Sequence, residues 1–358
     1  MAKTQQPKKE NLSGESSNPG ARNNSRKNFF SSILSFWAKY QIAIALFFLV
    51  FAILFPIIFD KQYFIAVGIT VLMYASLSVS LNLITGYMGI TSLGHAAFMG
   101  IGAYTAALLS TKLGANFLIT FSSAAVVAGM FGVILGLPSL RIKGRYLAIV
   151  TLGFSEIARL LELNWMSLTR GPQGIAAIPK MGLFGVVFKT PIAKYYVILA
   201  LLVVVILIVS AIINSRIGRA IRAIRDDETA AAAMGIDVFK KKILIFAISS
   251  ALAGASGAYF AHYMSFIDPN AFNITQAFLI LSMTIFGGLA SIPGSIFGAL
   301  VLIVLPEALR FLIDYRQVIY GLIIIIMMVY QPSGLFGSFN LKHIQQQDQF
   351  NKTHTRER

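Results

Sequence analysis

Long apolar runs separated by short polar stretches dominate the chain from residue 41 onward. The runs fall at 41–59, 64–84, 92–111, 115–137, 146–164, 195–213, 243–263, 274–290, 291–309 and 317–331. Each approaches the roughly 20 residues with which an α-helix crosses a hydrocarbon core. The pattern predicts an all-α fold, a polytopic membrane helix bundle of about ten transmembrane helices. The fifth run is the weakest, because Glu156, Arg159 and Glu162 recur every three residues within it. At that spacing all three share one helical face, and either acid can pair with Arg159. Residues 1–35 are rich in Asn, Ser, Gly and Lys, a composition that buries too little apolar surface to fold alone. They are expected to form a disordered basic cytoplasmic tail, followed by a transmembrane domain over 36–337 and a polar cytoplasmic tail over 338–358.

Charge orients this bundle. With ten spans and the N-terminus inside, the inner loops and tails carry 21 Lys and Arg: seven in 1–40, three in 141–145, seven in 216–242 and four after 340. The outer loops carry eight. That bias places both termini in the cytoplasm by the positive-inside rule. It also accounts for the formal net charge of +16 without a nucleic-acid partner. Composition agrees, with 56% hydrophobic and only 12% charged residues against roughly 25% charged in soluble domains.

The chemistry of an enzyme is hard to assemble from these residues. There is no cysteine, there are four histidines, and neither HExxH nor GxSxG occurs. No catalytic group and no metal site is therefore expected. Ionisable or polar groups inside spans are instead candidates for a solute path or for ties between helices. Glu156 and His95 are the leading ones, with Asn82 and Thr151 as neutral hydrogen-bonding groups and Thr85 and Asn164 as lesser candidates. For Glu156 the pairing with Arg159 is the competing structural role, and for His95 it is a packing hydrogen bond. Glycines at 94, 100, 102, 254, 257, 294 and 298 fit close helix packing in lipid. The loop GPQGIAAIP, 171–179, is placed on the extracytoplasmic side.

The longest internal polar segment, 214–242, breaks the apolar pattern. Arg216, Arg219, Arg222 and Arg225 recur every three residues and predict a basic helical stripe beside anionic headgroups. Asp226, Asp227 and Glu228 suit the first turn of a second helix, where acids oppose the positive dipole end. Ala230 to Ala233 propagate it and Gly235 is placed to end it. The expectation is a short capped helix projecting from the membrane into the cytoplasm.

That short helix resembles the EAA loop with which permeases of ABC importers dock on their ATPase subunits. Ala230, Ala231 and Gly235 hold the motif's spacing, and Thr229 stands where its simplest form has Glu. SLNLITGYMGITSLGHAAFMGIGAY (80–104), GRYLAIVTLGFSEIARL (144–160), TRGPQGIAAIP (169–179) and FGGLASIPGSIFGAL (286–300) are similar to LivM-type permeases of branched-chain amino acid ABC importers. The resemblance covers about residues 64–337. It implies a permease subunit in the plasma (inner) membrane that moves small apolar amino acids, with urea and short-chain amides as the alternative solutes within the superfamily. It also implies a second permease subunit, two ATPase subunits and an extracytoplasmic binding protein as partners. Asp227, Glu228, Ala230, Ala231, Met234 and Gly235 would form the ATPase-coupling helix. No cofactor is implied in this chain, since no Walker A element is present and ATP would sit on the partner ATPases. An ion-coupled secondary transporter is the rival outside this family, and it leaves the cytoplasmic helix without a purpose.

Overall fold

The computed structural model describes residues 41–59, 61–139, 146–183, 186–188, 190–308, 318 and 321. Residues up to Phe51 group with Gln345–Arg358, and Ala52–Ile344 form a separate unit. In the first unit the described residues are helical. The second unit carries nearly all the described structure. The expected tails at 1–35 and 338–358 lie outside the described residues, as does the expected span at 317–331 apart from two isolated positions.

The described helices follow the apolar runs. They are α1 (Gln41–Ile58), α2 (Gln62–Asn82), α3 (His95–Leu113), α4 (Phe117–Ser139), α5 (Tyr146–Asn164) and α6 (Pro191–Asn214). Two short helices follow, α7 (Arg216–Asp226) and α8 (Glu228–Ala233). The series closes with α9 (Val238–Met264), α10 (Ile274–Gly287) and α11 (Ile292–Ala308). Their ends are set by local chemistry. Thr190 caps α6 through Ala193 N–H at 3.3 Å, with Pro191 at the first helical position. Asn273 caps α10 through Gln276 N–H at 3.1 Å. Gly114 turns left-handed (φ +60°) to stop α3. α2 does not end at Asn82 but widens into a π-helical turn over Leu83–Tyr87.

Among the described residues, five helical stretches are long and apolar enough to cross a membrane: Gln62–Tyr87, Phe117–Leu137, Pro191–Asn214, Val238–Met264 and Pro269–Gly287. The other predicted spans that fall on described residues, 41–59, 92–111, 146–164 and 291–309, are helical but shorter or less apolar. For α3 the reason is packing: its alanines and glycines face protein and have no need of bulk. α9 packs on α2, α3 and α4, while α2 also packs on α6, α10 and α11. At the α3–α9 crossing a Cβ on Gly102 would strike the backbone of Gly254, and a Cβ on Gly254 would strike Ala128 of α4. Such contact is how helices associate in lipid, where no hydrophobic drive joins them. The opposite faces of the outer helices carry large exposed apolar side chains, Val126 and Met130 of α4 and Val204 and Leu207 of α6 among them. In water that surface would be a liability; against lipid chains it is the required one. The described structure is thus an all-α membrane helix bundle.

Four two-residue strands are the only departure among the described residues. β1 (Ile175–Ala176) pairs antiparallel with β4 (Phe266–Ile267), with Ile175 opposite Ile267. β2 (Gly182–Leu183) forms a hairpin with β3 (Val186–Val187). The first pair joins the 171–179 loop to the connection after α9. The His262 ring reinforces it, with Nδ1 2.8 Å from the Pro179 carbonyl and Nε2 3.0 Å from Thr120 Oγ1.

Candidate functional site

The polar segment after α6 folds as two capped helices. Ser215 Oγ accepts from Ile217 N–H (3.1 Å) and Gly218 N–H (3.4 Å) and so starts α7. Gly218, Ile221 and Ile224 turn into the protein, which leaves the four arginines on the exposed side. Asp227, not Asp226, is the cap of α8: its Oδ1 accepts from Thr229 N–H (2.8 Å) and Ala230 N–H (2.9 Å). Asp226 instead closes α7. At the other end Ile236 N–H reaches Ala231 O at 3.1 Å and Gly235 N–H reaches Ala232 O at 3.0 Å. This paired closure needs a left-handed residue, and Gly235 supplies it at φ +81°. Ala231 is buried under the helix, whereas Ala230, Ala232, Ala233 and Met234 are exposed, Met234 by 83%. A six-residue helix is far too short to persist alone. Its caps, and the Glu228–Lys242 ion pair to α9 at 2.8 Å, hold it in place.

Ties run from this segment into the bundle. Arg222 Nη2 donates to the Ile213 carbonyl at the end of α6 (3.2 Å). Arg225 Nη1 donates to the Gly86 carbonyl in the π turn (2.7 Å). One turn before Gly86 stands Asn82. Its Nδ2 donates to Ser291 O (2.9 Å) and Ser295 Oγ (2.6 Å) and lies 3.3 Å from Gly288 O, while its Oδ1 accepts from Ala290 N–H (2.9 Å). Both ends of the Asn82 amide are therefore spent on the α10–α11 turn. A continuous set of hydrogen bonds leads from the exposed α7–α8 pair through the end of α2 to the α10–α11 hairpin.

The other expected path residues are distributed differently. Thr151 Oγ1 accepts from Leu93 N–H (2.9 Å) and donates to Ala148 O (3.0 Å), pinning the stretch before α3 onto α5. His95 Nε2 lies 3.1 Å from Ser249 Oγ, and that hydroxyl donates to Ser80 O, which links α3, α9 and α2. His95 Nδ1 has no partner among the described residues. Glu156 is paired with Arg159, whose Nε is 3.1 Å away, at a partly exposed position on α5. Glu162 was expected to be able to share that arginine and does not: it is 7% exposed, and neither carboxylate oxygen has a hydrogen-bond partner among the described residues. Asn164 bonds back to Leu160 O within its own helix, and Thr85 Oγ1 is buried without a partner among the described residues. Lys242 and the acceptor role of Gly86 were not visible in the sequence. The arginine spacing foretold an exposed stripe, but nothing local says that its last member turns back onto a carbonyl 139 positions earlier.

Known proteins resemble this chain in sequence. A family model described as branched-chain amino acid transport system / permease component matches residues 63–328. The chain is 35% identical over 287 residues to the high-affinity branched-chain amino acid transport system permease protein LivM of Escherichia coli K12, covering 74% of this chain and 68% of that protein. It is 25% identical over 311 residues to the probable branched-chain amino acid transport permease protein LivM of Methanocaldococcus jannaschii, covering 74% and 90%. It is also 25% identical over 286 residues to the LivH permease of the same system in E. coli K12, covering 74% and 91%. No solved structure matches the chain. The matched region takes in every helix from α2 to α11 and the whole tied segment between α6 and α9, and the chain belongs to the permease-component family of branched-chain amino acid transport systems.

Proposed function

We propose that this chain is one of two permease subunits of an ATP-binding-cassette importer in the plasma (inner) membrane, translocating branched-chain amino acids delivered by an extracytoplasmic binding protein. It spans the membrane about ten times with both termini in the cytoplasm, and α8 docks on a partner ATPase. Asp227 and Glu228 start that docking helix, Ala230, Ala231 and Met234 form its body and end, and Gly235 closes it. ATP binds to the ATPase subunits, not to this chain. The single observation that carries the reading is the α7–α8 pair, capped at both ends and exposed on one side, with Arg225 bonded to the π turn of α2 on the other. A loop whose only task was to connect two spans would need neither the caps nor the inward tie. Family membership supplies the solute class.

The test is uptake of labelled leucine, with labelled urea alongside, in cells with and without the intact gene. A leucine deficit restored by the gene, with urea uptake unchanged, supports the assignment. A urea deficit leaves the importer architecture standing and replaces the solute. In the same cells, Gly235→Glu should abolish leucine uptake while the protein remains inserted, because a side chain at φ +81° is strained and a charge there disturbs the docking face. Normal uptake by that variant would overturn the coupling role of α8.

A further inference from the structure

α5 lies against the rest of the bundle by one narrow stripe. Its buried residues are Leu147, Thr151, Ser155, Ala158 and Glu162, three or four apart along one side. The opposite side, with Ile149, Gly153, Ile157 and Leu161, is exposed. A Cβ built on Gly153 meets nothing within 4 Å. On the shoulder of that face sits the Glu156–Arg159 pair, with 31% and 20% of the two side chains exposed. Arg159 spends Nε and Nη2 on Glu156, and its Nη1 makes no hydrogen bond among the described residues. The depth of the pair sets it apart. Arg159 lies about 6 Å along the axis from the midpoint of α5, and Glu156 lies closer still. In the other long helices every described Asp, Glu, Lys or Arg falls within the first or last five residues.

Exposed charge at that depth decides what covers α5. Lipid chains are poor neighbours for an ion pair with an open arginine donor. An aqueous path suits the pair but not the isoleucines and leucine beside it. A protein surface satisfies both. It can pack on the apolar stripe, bring a helix backbone close at Gly153 and present an oxygen to Arg159 Nη1. The LivM and LivH permeases of E. coli K12, named for the same kind of transport system, both resemble this chain. A second permease of that kind carries a counterpart of α5, and two related subunits can meet across a pseudo-twofold axis. We propose that the Ile149–Gly153–Ile157 face of α5, flanked by Glu156 and Arg159, is the surface on which the second permease subunit seats. This inference rests on the importer reading above, in which α5 crosses the membrane beside a partner permease.

The chain has no cysteine, so a photoreactive maleimide can be placed at one position at a time in the complete importer in membrane vesicles, with the partner subunits made cysteine-free. Attached to Ile149→Cys or Ile157→Cys, it should join this chain to the second permease on irradiation. Attached to Val204→Cys, on the exposed side of α6, it should give about tenfold less of that product, because lipid chains surround it. Gly153 faces open space within this chain, so Gly153→Trp should leave the chain's own fold intact and yet cut recovery of the second permease about tenfold. Val204→Trp should leave recovery unchanged. Adducts with lipid alone, or no adduct at all, from both α5 positions would overturn the interface, and so would full recovery of the second permease by Gly153→Trp. If no second permease accompanies the unmodified chain, the importer reading falls and this inference with it. If one accompanies the chain and escapes the α5 probes, this inference alone falls.

Discussion

The two ends of the bundle treat polar groups in opposite ways. Around α7 and α8, Asp227 caps backbone amides, Glu228 meets Lys242, and Arg222 and Arg225 each find a carbonyl. Where the end of α5 meets the middle of α3, the carboxyl of Glu162 and the hydroxyl of Tyr104 are buried with no partner among the described residues. The first end behaves like a mechanical fitting whose polar atoms hold parts together. The second keeps the same kind of atom packed and unsatisfied. Removing a polar side chain should therefore shift stability in opposite directions at the two ends.

Asn82→Ala should have the largest effect, lowering stability by about 3 kcal/mol. It removes several hydrogen bonds and strands the Ala290 amide and the Ser291 carbonyl at the α10–α11 turn. A fall in the thermal midpoint of the detergent-purified importer would register it. Next, Glu162→Leu should raise stability by about 1–2 kcal/mol, because a buried polar group without a partner among the described residues gives way to an apolar side chain of similar size. A lowered midpoint there would show that the carboxylate is structural and would erase the contrast between the ends. Glu228→Ala should cost about 1–2 kcal/mol: Lys242 is left buried without its partner, but the Glu228 side is 40% exposed and solvent screens the pair.

Asp227→Ala should cost about 1 kcal/mol, the usual worth of an N-cap. Faster hydrogen exchange confined to Thr229–Ala233 would show it. The smallest effect is set by pH. The Lys240 backbone amide, followed by the Lys240 ammonium, holds the Asp237 carboxyl below its ordinary value of 3.8. A depressed carboxyl contributes its stabilisation above that value and loses it as pH falls through the lowered one. The protection factors of the Val238–Lys241 amides, exchange rates corrected for the intrinsic pH dependence, should thus be flat from pH 8 to pH 5 and fall only in stronger acid, and Asp237→Asn should remove that acid dependence.

Much of this contrast could be read in the sequence at the α7–α8 end and little of it at the other. Continuous apolar runs placed nine of the helices to within a few residues, because a run long enough to cross lipid has few alternative folds. The caps of α8 were equally legible, being contacts between residues two to five apart. Asn82 was assigned a choice between path and tie, and only the fold reveals that its partners lie more than 200 positions away. The three-residue spacing on α5 could not decide which acid Arg159 takes, since both are within reach. That decision falls to α3, against whose Gly100 the Glu162 carboxyl packs. Two-residue strands have no periodicity to detect.

The π turn at Leu83–Tyr87 carries one residue more than a regular helical turn needs. In a genetic sense it is an insertion that the fold has accommodated. Deleting a single residue there would let α2 run on as an ordinary helix, but with everything after it rotated by about 100°. The Gly86 carbonyl would leave the reach of Arg225 while Asn82 stayed where it is. One codon would then separate a bundle that merely assembles from a bundle whose α7–α8 pair is tied into its core.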